Sequence, residues 1–139
     1  MQRRLQMPKF IAWDILNRKW MSEMELYDIP YGELFMHTPD TRAINLYMHT
    51  GLKDRKQIAV CDGNYLLDIT DQEVYEVVYI SNTASFEMRE LSSGELYDFD
   101  VDMMQIFEII GHRCTHAHIY DPHSEHAKYS KEVAEAQSV

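Results

Sequence analysis

At 139 residues with 45% apolar side chains, the chain has the length of one domain and a globular composition, which excludes a disordered polymer. No apolar run approaches the roughly 18 residues of a membrane helix, and the opening MQRRLQMPKF has no apolar stretch behind its arginines, so neither a span nor a signal peptide is expected. The net charge of −10 is lopsided: residues 1–60 sum to +2 and residues 61–139 to −12, with twelve acids and one base, Arg89, between Asp62 and Glu108, a balance that repels phosphate.

In chain order, KFIAWDI (9–15) is a short β-forming run and predicts a strand. WMSEMELYDI (20–29) fits helix and strand alike. AINLYMHT (43–50) alternates, with Ile44, Leu46 and Met48 expected inward, Asn45, Tyr47 and His49 outward, and a turn at Gly51. EVYEVVYI (73–80) is apolar on both faces, as a central strand would be. After the turn SNT (81–83), ASFEMREL returns with Ala84, Phe86 and Met88 inward and Ser85, Glu87 and Arg89 outward, completing a hairpin. SSG (92–94) marks the next turn and IFEII (106–110) another buried strand. At the end, Asp121 is a candidate N-cap with Pro122 at the first helical position, which predicts a tail helix over 122–136 on the surface. The expected core is Trp13, Leu46, Met48, Val78, Phe86, Met88, Phe107 and Ile109. Asn45, Glu87, Arg89, Asp98, Asp100 and Asp102 are expected outside. The fold class is therefore mainly β with minor helix, and strands this short suggest a small barrel or roll. Nothing marks a linker, so 1–139 is read as a single domain.

The segment GHRCTHAHIYDPHSEH (111–126) holds five of the seven histidines. If residues 112–120 are extended, His112, Cys114, His116 and His118 share a face, with ligand types suited to Zn²⁺. Alternate strand positions stand about 7 Å apart, however, so one strand offers two adjacent ligands and not four. A full site would need His123 or His126 as well. The residues are accordingly expected to be too dispersed to share one ion, and no metal site is assigned. Asp98, Asp100 and Asp102 alternate as in a calcium loop, but the glycine and glutamate such a loop needs are replaced by Met103 and Ile109. No catalytic residues, cofactor site or phosphate loop emerge. Cys61 has no basic neighbour to activate it, and Cys114 stands beside Arg113 without a third orienting group. With no export signal, both cysteines are expected to be thiols in a cytoplasmic protein.

KFIAWD followed by RKWM resembles the K-F-R-A-W-D…K-K-M opening of the phage YopX family. LYMHTGLKDRKQI resembles that family's L-M-Q-Y-T-G-L-K-D-K-N-G-K-E-I, with Thr50, Gly51, Leu52, Lys53 and Asp54 matching outright. FEIIGH…HIYDPHS is similar to its closing E-V-I-G-N-I-Y-E-N-P-E. The order agrees from Lys9 to about Glu125. In departure, the N-G turn is missing between Arg55 and Lys56, CDGN (61–64) matches an E-G-D segment only loosely, and RCTHA (113–117) is inserted. The histidine cluster thus lies in or beside a local elaboration. The resemblance implies a phage or prophage protein with an SH3-like barrel or roll in its later part, residues 1–6 as an upstream extension, and no catalytic residues to carry over.

Three functions follow as expectations. The leading one is a phage-encoded accessory protein that binds another protein, a basic one if the acidic half is a docking patch and not simply a solvated face. The second is a metal-dependent or metal-stabilised protein using His112, Cys114, His116 and His118. The third is nucleic-acid binding through the GLKDRK loop from Gly51 to Lys56, which the −12 half opposes. Exposed strand edges also leave a homo-oligomer open.

Overall fold

The protein, a computed structural model in which residues 10–27, 44–99 and 101–137 are described, is mainly β, with two sheets, one of them a curled half-barrel, and a C-terminal helix. The expected extension over 1–6 and Asp100 lie outside the described residues. The chain divides into two compact units, Met1–His49 and Thr50–Val139.

In the first unit, β1 (Phe10–Asp14) pairs antiparallel with β2 (Lys19–Trp20) and with the start of β3 (Ile44–Lys53). Asp14 shapes the β1–β2 turn by accepting from the Asn17 backbone N–H (2.9 Å) and side-chain amide (2.7 Å). The ambiguous segment after β2 is helical over α1 (Glu23–Tyr27). A capping box decides it: the Ser22 hydroxyl accepts from the Glu25 N–H and the Glu25 carboxylate from the Ser22 N–H, both at 3.2 Å. The expected phase of β3 is only partly right. Register sets Tyr47 opposite Ile11 and Asn45 opposite Trp13, so Tyr47 shares a face with Trp13. Trp13, Trp20 and Tyr47 stack edge to face at 4.9 and 6.1 Å, and this aromatic row buries Trp13 and Tyr47. Leu46 falls on the other face, half-buried, and Met48 is 43% exposed.

The second unit opens with the end of β3. Gly51 has φ +87°, yet the strand does not turn there. The Thr50 hydroxyl spans the kink, donating to Val60 O (2.9 Å) and accepting from Leu52 N–H (3.1 Å), and the chain runs on to Lys53. It reverses over 54–58 into β4 (Ala59–Cys61), followed by β5 (Asn64–Asp68), β6 (Val74–Ile80), β7 (Ser85–Glu90), β8 (Leu96–Asp98) and β9 (Phe107–His112). A 3-10 turn, Asp102–Ile106, leads into β9. Five strands form one sheet in the order β8-β7-β6-β5-β9. The expected hairpin is β6–β7, with Val77 opposite Met88 and Glu76 opposite Arg89. Ala84 belongs to its turn and is exposed.

Pairing gives this sheet two unlike faces. Leu66, Tyr75, Val77 and Met88 point to an apolar core completed by Val60, Met104 and Phe107. Ile109 and Phe86 pack against it half-buried, and Val78, on the opposite face, is half-buried away from this core. That opposite face carries Tyr65, Glu76 and Arg89. Glu87 and Arg89, expected outside, are half-buried, whereas Asp98 and Asp102 are exposed.

The histidine segment is the largest correction. Only His112, the last residue of β9, is extended: helix α2 (Arg113–Tyr120) starts directly after it. Its buried residues, Cys114 and Ala117, are three apart, the helical spacing. The tail helix begins later than expected, as α3 (Ala127–Gln137), because Asp121 caps the end of α2 with its N–H on Ala117 O and residues 122–126 form turns. It is no surface appendage. Ala127, Ser130 and Val133 form a buried stripe, and the Ser130 hydroxyl accepts from the α2 backbone at His118 (2.8 Å).

Candidate functional site

Where α2 leaves the sheet, five charged side chains interlock. Glu76 is 5% exposed on β6, and its carboxylate is shared by two arginines. Arg89, its cross-strand partner, approaches one oxygen at 2.8 Å, and Arg113 Nε lies 3.1 Å from the other. Arg89 also reaches Asp121 (2.7 Å), while Arg113 reaches Asp62 (3.3 Å) and donates to Val77 O (3.0 Å). The Arg113 Nε–H is not directed at a hydrogen-bonding lone pair of Glu76, so that contact is one of charge. Burial works against the charge on Arg89, but its bonds to Glu76 and Asp121 raise its pKa on balance. Burial raises the Asp62 pKa, with Arg113 opposing. Tyr65 lies opposite Glu76 with its ring 5.4 Å from Tyr120 and its hydroxyl buried. Burial, then the carboxylates of Glu76 and Asp121, hold that phenol well above its usual value. The cluster joins β6, β7, the Asp62 turn and both ends of α2.

His112 organises the other side. Its Nδ1 accepts from the Cys114 N–H (3.1 Å) as the N-cap of α2, and Nε2 lies 2.8 Å from Asp62 O. A nitrogen that accepts carries no proton, so Nε2 bears the hydrogen and the ring is neutral. Burial drives its pKa down to about 3. The His112 N–H donates to His116 Nδ1 (3.3 Å), which also meets the Thr115 hydroxyl (2.5 Å). His118 Nδ1 lies 2.8 Å from Ser130 Oγ.

Two glycines let the chain pass these rings. A Cβ on Gly63 (φ +87°) would lie 2.5 Å from His112 Nε2, and one on Gly111 would lie 2.5 Å from His116 Cγ. Gly63→Ala is expected to cost about 1–3 kcal/mol for overpacking beyond the about 1–2 kcal/mol of its left-handed backbone. Gly94 has φ +77° and open space around it, so Gly94→Ala shows the backbone cost alone. Urea midpoints that shift equally for the two variants would contradict the clash.

The sequence candidates sort as follows. Among the described residues no three His, Cys, Asp or Glu side chains come together to hold a metal ion. His112, His116 and His118 instead serve as a cap and helix pins, and Cys114 is buried. Burial, then Asp62, pushes the Cys61 thiol up to about 11, far from a reactive thiolate. In the 51–56 loop, Asp54 is 2% exposed and accepts from the backbone N–H groups of Lys56 (2.9 Å), Ile58 (2.9 Å) and Ile109 (3.0 Å). Arg55 and Lys56 both lean on Glu108, which lowers the positive potential a nucleic acid would need. No protein-family model matches the sequence, and no curated protein matches it.

The ionic cluster was missed in the sequence. A signal existed: Glu76 is the one charge inside VYEVVYI, and Arg89 is the one base in the acidic stretch. A lone charge in a central strand calls for a buried partner. Among the described residues no helix is long and apolar enough to cross a membrane.

Proposed function

We propose that this chain is a phage- or prophage-encoded accessory protein that acts by binding a protein with a basic surface, in the host cytoplasm. The observation that carries the reading is the use of Arg89. The only base between Asp62 and Glu108 is turned onto Glu76 and Asp121, so it does not neutralise the exposed acids of that stretch. Asp71, Glu95, Asp98 and Asp102 are exposed on that stretch. Their field attracts a basic partner and opposes polyphosphate. The resemblance of LYMHTGLKDRKQI and its flanking segments to the phage YopX family supplies the biological setting.

The test is a pull-down from bacterial lysate at low and at high salt. Raising ionic strength from 0.15 M to 1 M shortens the Debye length from about 8 to about 3 Å, so a partner held by this field is recovered at low salt only. A partner set indifferent to salt would remove the charge basis of the reading.

A further inference from the structure

We propose that β8 is a docking edge, which takes up an extended lysine- or arginine-bearing segment of the partner as an additional strand. The inference rests on the protein-binding reading above and specifies its site and occupant. The two edges of the five-stranded sheet differ. On β9 the 54–58 turn occupies the outer side, with Arg55 N–H donating to Phe107 O (2.9 Å) and Asp54 accepting from Ile109 N–H (3.0 Å). On β8 all three residues are exposed, and among the described residues no strand pairs beyond it.

Register shows which backbone groups are offered. Glu90 N–H donates to Glu95 O (2.8 Å), and the ladder continues with Arg89 opposite Leu96, Met88 opposite Tyr97 and Glu87 opposite Asp98. Antiparallel pairs alternate between bonded and non-bonded, so Tyr97 bonds to β7 while Leu96 and Asp98 turn their N–H and C=O outward. An incoming strand pairs with those groups. Between them Tyr97, on the apolar face, is 41% exposed, and aromatic faces suit ammonium or guanidinium groups.

Charge selects the occupant. Between Arg89 and Arg113 there are six acids and neither lysine nor arginine, and Glu95 and Asp98 flank the edge. A second copy of this chain would bring the same acids and its own net charge of −10 against them. Acidic side chains on an edge strand guard against self-pairing. The same carboxylates favour a basic strand.

The probe is a short synthetic peptide of alternating Lys and Val, titrated against the full chain. It is compared with the same peptide N-methylated on the backbone, which keeps the charge and loses the ladder donors. The unmodified peptide is expected to slow amide exchange at Leu96 and Asp98, and N-methylation to weaken binding about tenfold or more. Leu96→Pro removes an outward donor without touching the bonds to β7 and should give a similar loss. If that variant misfolds, the two peptides on the wild-type chain still decide. Equal binding of both peptides would mean charge alone and would overturn the edge, while leaving the basic-partner reading intact. Binding by neither would overturn both.

Discussion

Acidification from pH 6.5 towards 3 is expected to destabilise the protein by about 1.4 kcal/mol per pH unit through His112 alone. The folded state holds this ring neutral because Nδ1 caps α2 inside a buried site, and its pKa falls to about 3 from an unfolded value of 6.5. Within that window the unfolded chain takes up a proton that the folded chain refuses. Stability therefore rises with pH across the window, is complete above it, and is lost as pH falls. His112→Asn is the informative variant, since asparagine caps a helix and does not titrate. Between pH 6.5 and about 4.5, above most carboxylate titrations, its unfolding free energy should fall less steeply than the wild type's by most of that slope. Parallel curves for the two proteins would show that the ring is not held neutral. The comparison is of slopes, so a constant loss in the variant does not obscure it.

Arg113→Met is expected to cost about 3 kcal/mol at neutral pH, the lower end for breaking a buried pair, because it leaves half-buried Asp62 without its cation and buried Glu76 with Arg89 alone. It also leaves Val77 O without the guanidinium donor and weakens the start of α2. Glu76→Leu alone removes the buried carboxylate both arginines share and leaves Arg89 with Asp121 and Arg113 with Asp62. The double variant removes opposite charges together and should lose clearly less than the two single losses added, a coupling measurable by denaturant unfolding of the four proteins. Additive losses would mean that Glu76 and Arg113 are solvated independently. Asp62, left without Arg113 in the double variant, limits the recovery, whereas Arg89 is still held by Asp121.

The β class, the β6–β7 hairpin and the existence of a tail helix, though not its Asp121 cap, were legible in the sequence, because alternation, turn residues and runs of helix formers act over a few residues. EVYEVVYI and ASFEMREL became paired strands, and Trp13, Met88 and Phe107 are buried as their patterns required. Where two local readings were equally good, only tertiary contacts chose. Met48 and Tyr47 alternate equally well in either phase, and the Trp13–Trp20 pair drew Tyr47 inward. His112, Cys114, His116 and His118 alternate as a strand would. The last three fold into a helix because the His112 ring caps it, Gly63 and Gly111 make room for the imidazoles, and Ser130 holds the second helix against it. The sequence by itself determined the period-2 strands and the uneven charge. The tertiary structure decided which carboxylates are spent on Arg89 and Arg113 and which face solvent, since a buried charge is tolerated only beside an opposite one and that neighbour comes from far along the chain.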